Sequence, residues 1–97
     1  MKNQRKYEVL ETNAYKRNYK LMKKRGLIIE LLDKAVDILA ETGTLPPEYQ
    51  DHALHGKWKG FRECHIAFDW LLIYKIEKDA LILTLTRTGT HTDLLEK

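Results

Sequence analysis

The four histidines of this 97-residue chain all fall between residues 52 and 91. They are His52, His55, His65 and His91. Histidine is the side chain whose ordinary pKa lies nearest neutrality, so it can donate or accept protons at physiological pH. Arg62 and Arg87 lie in the same stretch, and guanidinium groups suit bidentate contact with phosphate. The stretch therefore indicates acid–base chemistry on an anion.

Metal-free cleavage of RNA is a reaction with these requirements. A base removes the proton of the ribose 2′-hydroxyl, an acid protonates the departing 5′ oxygen, and cations stabilise the charge that develops on phosphorus. The candidate acids and bases are His52, His65, Asp69 and His91, and the candidate cations are Arg62, Arg87 and Lys59. Taken singly, each histidine is more often a surface or satisfied core residue. Aromatic side chains such as Trp58, Phe61 and Trp70 could stack a base, but they are more often part of the core.

A metal site is the alternative that the histidine spacing raises. His52 and His55, followed by His65 and Asp69, offer four nitrogen and oxygen ligands of the kind that zinc accepts. Their spacing matches no compact metal-binding motif, so a functional metal is the minor alternative.

Length and composition predict one globular domain spanning residues 1–97, with 43% hydrophobic and 32% charged residues. Cys64 is the only cysteine, which excludes an intramolecular disulfide and fits a reducing, cytoplasmic location. No secretory signal pattern follows the basic N-terminus. The longest apolar-rich segment, residues 70–76, is far too short for a membrane-spanning helix, so we expect no membrane association.

Positive charge is concentrated at the N-terminal end of the chain. Residues 1–25 carry nine basic and two acidic side chains, a net charge of +7, whereas residues 26–97 carry eight basic and twelve acidic ones, a net charge of −4. Such a field favours an anionic partner, either a nucleic acid or an acidic protein. A solvated lysine face on a surface helix would look the same. The candidate contacts are Lys16, Arg17, Lys20, Lys23 and Lys24.

Apolar spacing predicts two helices joined by a short turn at Gly26. The first, residues 14–25, begins after an N-cap at Thr12 or Asn13 and carries Tyr15, Tyr19 and Met22 on one face. The second covers residues 27–41, and its predicted apolar stripe consists of Ile28, Leu31, Leu32, Ala35, Ile38 and Leu39. Because so few residues connect them, the helices should form an antiparallel hairpin.

Alternating hydrophobicity predicts strands on either side of that hairpin. The first is residues 6–10, and three more follow a proline loop, at residues 61–68, 70–77 and 80–86, with a turn at Lys78 and Asp79. In the second strand, Cys64, Ile66 and Phe68 would share one face, and Glu63 and His65 the other. The fold class is therefore α+β: an N-terminal strand and an antiparallel helical hairpin packed on a mainly antiparallel sheet, whose other face is free for a ligand.

Two sequence blocks carry a family resemblance. They are DHALHGKWKGFRECHIAFDWLLIYKI at residues 51–76 and RTGTHTDLL at residues 87–95. At matching spacing, both resemble YafQ-type toxins of the RelE/ParE superfamily. The resemblance implies a RelE-like two-layer sandwich and a bacterial toxin of a type II toxin–antitoxin pair. It further implies a ribosome-dependent endoribonuclease that cuts translated mRNA without a metal or other cofactor. The implied partners are a cognate antitoxin and the 70S ribosome with mRNA in its A site.

The same resemblance implies roles for individual residues. The catalytic positions fall on His52, His65, Asp69 and His91, and phosphate-contacting positions fall on Arg62 and Arg87. Leu95 stands where such toxins carry a phenylalanine that helps hold the mRNA, so apolar contact is kept but aromatic stacking is lost. The basic first helix would contact the ribosome or the antitoxin.

One division of labour among these residues makes His52 or Asp69 the general base. His91, on a flexible segment after the last strand, would be the acid, while His65 and the arginines stabilise the phosphorane. Two other classes remain open: a superfamily member that poisons a protein target such as DNA gyrase, and a non-catalytic module that binds RNA or titrates the antitoxin.

Overall fold

Five strands and three α-helices make up the part of the chain that the computed structural model describes, residues 5–95 without the side chain of Leu95. The elements are β1 (Glu8–Glu11), α1 (Asn13–Lys24), α2 (Ile29–Thr42), β2 (His52–Ala53), β3 (Arg62–Ala67), β4 (Trp70–Glu77), β5 (Ile82–Gly89) and α3 (His91–Leu95). Two single-turn 3-10 helices, Pro47–Tyr49 and Gly56–Trp58, flank β2. The predicted α+β class is confirmed, and β4 has the bounds that the sequence predicts.

The strands form one sheet in the order β1-β5-β4-β3-β2. β1 runs parallel to β5, with Glu8 opposite Ile82, and all other neighbours are antiparallel. The helical hairpin intervenes between β1 and the rest of the sheet, which allows β1 to pair in parallel with a strand far along the chain. The mainly antiparallel sheet of the prediction is thus confirmed, with one parallel edge.

The two helices begin and end where local chemistry directs. Thr12 caps α1, because its hydroxyl oxygen accepts a hydrogen bond of 2.9 Å from the backbone N–H of Tyr15. Gly26 follows α1 with φ of +89°, the left-handed conformation that glycine adopts without a steric penalty. The buried residues of α2 are Ile29, Leu32, Ala35, Val36, Leu39 and Ala40.

The predicted stripe of α2 is confirmed only in part, because Leu32, Ala35 and Leu39 are buried but its first two residues are not. Ile28 is 62% exposed and Leu31 is 38% exposed. The helix begins at Ile29, which leaves Ile28 at the N-cap, outside the first turn. Val36 and Ala40 take the core positions instead.

The sheet packs apolar side chains on both of its faces. On the helix side, Leu72, Tyr74, Leu83 and Leu85 contact the buried residues of α1 and α2. On the other side, a second core forms, consisting of Leu71, Ile73 and Leu94 with the half-buried Leu54, Trp58 and Phe61. The expectation of a free second face is therefore only partly met, because α3 and the loop before β3 cover much of it.

β3 ends one residue earlier than predicted. Its pairing with β4 shifts register between His65 and Ala67, and Ala67 then pairs with Trp70 around a turn made by Phe68 and Asp69. Asp69 has φ of +57°. Phe68 is 99% exposed, so its predicted place on the face with Cys64 and Ile66 is wrong. The register shift breaks the alternation on which that prediction depended.

β5 begins and ends later than predicted. Leu81 lies in the preceding turn with φ of +57°, and the strand continues through residues 87–89. Pairing skips Thr86, since Ile73 is opposite Arg87 and Tyr74 is opposite Leu85. Trp70 Nε1 donates to Thr88 Oγ1 (3.0 Å), which donates to the backbone oxygen of Leu71 (2.7 Å). These bonds attach the end of β5 to the start of β4.

His91 is the first residue of a short helix, not part of a flexible segment as expected. A capping box fixes this helix, because Thr90 N–H donates to Asp93 Oδ2 (3.0 Å) and Asp93 N–H donates to Thr90 Oγ1 (3.2 Å). A Cβ at Gly89 would lie 2.9 Å from Asp93 Cβ, so the close approach requires glycine. Across residues 5–95, no helix has the length and apolar character needed to cross a membrane.

Candidate active site

A cleft of about 590 Å³ opens at the end of the sheet where the β3–β4 turn meets the end of β5. Leu71 pairs with Gly89, so the residue before β4 and the residues after β5 become neighbours. The residues that line the cleft are Glu48, Gln50, His65, Ile66, Ala67, Phe68, Asp69 and His91. Sheet pairing thus brings together Asp69 and His91, which belong to different sequence blocks and are 22 residues apart in the chain.

Three of the four histidines form a row along this edge. The ring centroids of His52 and His65 are 6.4 Å apart, and those of His65 and His91 are 6.1 Å apart. The side chains of His52 and His91 are about half exposed, at 50% and 52%. Neighbouring rings at this spacing can act on one bound group together.

His91 is oriented by Asp69. His91 Nδ1 lies 2.7 Å from Asp69 Oδ1, and the backbone N–H of His91 donates to the same oxygen at 3.3 Å. The side-chain hydrogen bond, followed by the backbone one, holds the pKa of Asp69 below its usual value. An ionised carboxylate only accepts hydrogen bonds, so Nδ1 carries the hydrogen and Nε2 is left for a ligand.

His52 is held by acceptors at both ring nitrogens. Nδ1 is 3.0 Å from the backbone oxygen of Gln50, and Nε2 is 3.2 Å from Glu63 Oε1. Both ring nitrogens of His52 therefore face an oxygen, whereas only one ring nitrogen of His91 does. This arrangement counts against His52 as the general base.

Glu63 is a buried carboxylate beside the histidine row that the predicted site did not include. It is 3% exposed, it lies opposite His52 in the β2–β3 pairing, and its second oxygen, Oε2, has no hydrogen-bond partner among residues 5–95. A buried carboxyl oxygen without a partner lowers stability, which makes Glu63 a further candidate for the site. Its position two residues before His65, on the same strand face, was the available signal.

Arg62 lies on the opposite face of the sheet from the histidines. It pairs with Tyr74, and its Nε donates to Asp51 Oδ1 at 2.7 Å. Tyr74 donates from its hydroxyl to the other Asp51 oxygen, and burial raises the pKa of Tyr74, so the proton stays on the phenol. Arg62 therefore ties the segment before β2 to the sheet, and this position counts against contact with a phosphate at the histidines.

The remaining candidates lie outside the histidine row. Arg87, in β5, donates from Nε to Asn18 Oδ1 of α1 at 3.3 Å. Lys59 and His55 are exposed in the loop before β3. The side chain of Leu95 lies outside the described residues. The basic side chains of α1 are all exposed: Lys16, Arg17, Lys20, Lys23 and Lys24.

The three aromatic residues considered as base-stacking candidates belong to the cores. Trp58 packs edge-on against Phe61, with ring centroids 5.4 Å apart, and both contact the second core. Trp70 is 3% exposed. As for metals, residues 5–95 contain no group of three or more His, Cys, Asp or Glu side chains arranged to hold an ion.

A comparison with known protein families decides where the chain belongs. The family described as "Bacterial toxin of type II toxin-antitoxin system, YafQ" matches residues 7–96. The chain belongs to the YafQ family. Among relatives, the "mRNA interferase toxin YafQ" of Escherichia coli K12 is 41% identical over 84 residues, which is 86% of this chain and 89% of that protein.

Solved structures share both fold and sequence with this YafQ-family chain. The E. coli DinJ–YafQ complex has a TM-score of 0.84 and 33% identity, covering 92% of this chain and 98% of that one. A metal-bound toxin from Helicobacter pylori has a TM-score of 0.83 and 38% identity, covering 92% and 99%. The resemblance seen in the two sequence blocks is thus confirmed over nearly the whole length.

The hydrogen bonds between Asp69 and His91 predict a specific titration. In carboxyl-detected NMR, Asp69 should titrate below the ordinary aspartate pKa of about 3.9, and His91→Ala should return it towards that value. Because the folded pKa is depressed, the pair stabilises the fold above the unfolded pKa, and this stabilisation is lost as pH falls through the folded pKa.

Asp93 is the internal control for that titration. Its pKa is lowered by the Thr90 backbone N–H and by Arg25, so it should stay low in the variant. An unchanged Asp69 pKa in His91→Ala would contradict the pairing.

Proposed function

We propose that this YafQ-family chain is an mRNA interferase, the activity for which its E. coli relatives are named, and that it cuts translated mRNA on the ribosome. The observation that carries the proposal is the row of His52, His65 and His91 with a carboxylate against each end. A toxin that acted only by protein contact would have no use for three adjacent imidazoles, two of them paired with acids. This consideration favours the enzyme over the gyrase-type and non-catalytic alternatives.

In the proposed mechanism, His91 is the general base. A histidine whose Nδ1–H is held by a carboxylate presents its Nε2 lone pair in a fixed direction, as general-base histidines do. Nε2 takes the proton of the 2′-hydroxyl, and the 2′ oxygen forms a bond to phosphorus. Asp69 orients His91 and is not itself the base, because the hydrogen bonds from His91 lower the pKa of Asp69 and make it a weaker base than an imidazole.

His65 then acts as the general acid. It lines the same cleft as His91, and it donates a proton to the 5′ oxygen as the bond from phosphorus to that oxygen breaks. His52 stands next to His65 in the row, with ring centroids 6.4 Å apart, and its Nε2 lies 3.2 Å from Glu63 Oε1. In its protonated form His52 would stabilise the negative charge on the phosphorane. The products are a 5′-hydroxyl end and a 2′,3′-cyclic phosphate that can open to a 3′-phosphate.

Removing His91 tests the enzymatic proposal. In a translation extract, His91→Ala should lower the cleavage rate by about 10²- to 10⁴-fold, the usual contribution of a general base. Growth arrest on expression should disappear while the protein stays folded by circular dichroism. Ligation-based mapping of wild-type products should find 5′-hydroxyl ends.

His55→Ala is the matched control, since His55 is exposed and unpaired with the row, and its activity should equal wild type. Intact mRNA with the wild-type protein, or 5′-phosphate ends, would overturn the scheme.

Glu63→Gln tests the contact between Glu63 and His52. Glutamine keeps the size of the side chain but removes the negative charge that lies 3.2 Å from His52 Nε2. The cleavage rate should fall while circular dichroism shows an unchanged fold. Glu48→Gln removes an exposed carboxylate from the cleft that His65 and His91 line, and it should leave the rate near wild type. Equal rates for wild type and Glu63→Gln would limit Glu63 to a structural role.

The exposed lysines of α1 are proposed as the contact with ribosomal RNA or with a cognate antitoxin. A toxin–antitoxin complex is known for the E. coli relative, as the DinJ–YafQ structure states. Phosphate contacts make affinity for RNA fall steeply with salt, because each contact releases condensed counterions.

Reversing the charge of Lys20, Lys23 and Lys24 to Glu should therefore weaken ribosome binding and flatten its salt dependence. The control replaces three exposed lysines elsewhere, Lys34, Lys75 and Lys78, with the same change in net charge. Ribosome affinity is measured by sedimentation at two salt concentrations. An equal loss of affinity in both variants would show that only net charge matters.

A further inference from the structure

Phe68 is the one aromatic ring that residues 5–95 leave exposed. The chain has nine aromatic residues, and the other eight are buried or half-buried in the two cores. Phe68 is 99% exposed, whereas the next most exposed large apolar side chain, Ile28, is 62% exposed. Such a ring does not stabilise the folded chain through the hydrophobic effect, because its apolar surface stays in water.

The turn that carries Phe68 is held on both sides. Ala67 pairs with Trp70 across the turn, and Trp70 is anchored by its hydrogen bond to Thr88. The other turn residue, Asp69, accepts two hydrogen bonds from His91. The backbone position from which the ring projects is therefore fixed before any partner arrives.

The ring borders the cleft in which the chemistry is proposed to occur. Phe68 lines it together with His65, Asp69 and His91, and Ile66 and Ala67 extend the apolar side. The lining thus combines acid–base groups with an apolar stretch of three residues, and Glu48 and Gln50 complete it. A nucleotide has the same division, with a charged phosphate and a flat apolar base joined by a ribose.

We infer that Phe68 is a stacking platform for a nucleobase of single-stranded RNA that flanks the scissile phosphate. The inference rests on the proposed nuclease function and adds a substrate-binding residue to it. Bases of every type have a π-face, so stacking on a phenyl ring adds affinity and position without demanding a sequence. With the base on Phe68, the phosphate falls towards His65 and His91.

The test compares Phe68→Ala with Phe68→Trp on mRNA-programmed ribosomes. Loss of one base–aromatic stack should lower kcat/KM by about 5- to 150-fold for Phe68→Ala, and Phe68→Trp should keep activity near wild type. Ile28→Ala is the control, since it removes another exposed apolar side chain that does not line the cleft. Substrates with an abasic nucleotide on either side of the mapped cleavage site provide the second arm.

If Phe68 stacks a base, an abasic nucleotide at one of the two positions should lower the activity of the wild-type protein. On that abasic RNA, Phe68→Ala and wild type should then be equally active. Equal cleavage by wild type and Phe68→Ala on intact RNA overturns the inference while the nuclease function stands. Unchanged cleavage with weaker inhibition by a cognate antitoxin overturns it in favour of a protein contact. A wild-type protein that leaves mRNA intact overturns the proposed function, and the inference with it.

Discussion

The burial of β4 on both faces is the constraint on which the rest of the structure depends. Its first five residues, 70–74, are all buried, which no edge strand or one-sided strand would allow. β4 must therefore lie inside the sheet, with β3 on one side and β5 on the other. Because both neighbours are antiparallel to it, the end of β3 and the end of β5 arrive at the same edge. The candidate site residues of the two sequence blocks meet there for that reason.

That edge places two imidazole–carboxylate pairs at opposite ends of one row, and the two pairs differ in what they leave free. Asp69 takes one nitrogen of His91 and leaves the other for a ligand. Glu63 and the Gln50 carbonyl together occupy both nitrogens of His52. Identical side chains thus differ in what surrounds them: His91 keeps one ring nitrogen free for a ligand, whereas both ring nitrogens of His52 face an oxygen.

Several features at this edge lower stability, and they coincide with the proposed chemistry. Glu63 is buried with an unpaired oxygen, Asp69 has a left-handed backbone, and Phe68 is fully exposed. Each would be unfavourable in a domain selected only for stability. The structure offsets them nearby, with the Thr88 hydrogen bonds, the Thr90–Asp93 capping box and the Arg62–Asp51–Tyr74 network, all of which fix the segments that carry the row.

The sequence by itself determined most of the elements and the family. The period of apolar residues predicted α1, α2, β1 and the three strands β3, β4 and β5, because side-chain direction follows directly from helix and strand geometry. The two-residue β2 and the five-residue α3 are too short to show such a period. The spacing within the two blocks was enough to indicate the YafQ family, which the comparisons confirm.

Tertiary structure alone decided the phase and partners of these residues. The spacing of apolar residues does not say at which residue a helix begins. Ile28 was therefore assigned to the core, whereas Val36 and Ala40 are the residues buried there. A register shift before Ala67 exposed Phe68, which alternation had assigned to a sheet face. The pairing of β2 with β3 brought Glu63 opposite His52, and the contact with Asp51 and Tyr74 gave Arg62 its partners. Those outcomes depend on contacts between residues far apart in the chain, and local sequence does not encode such contacts in any readable period.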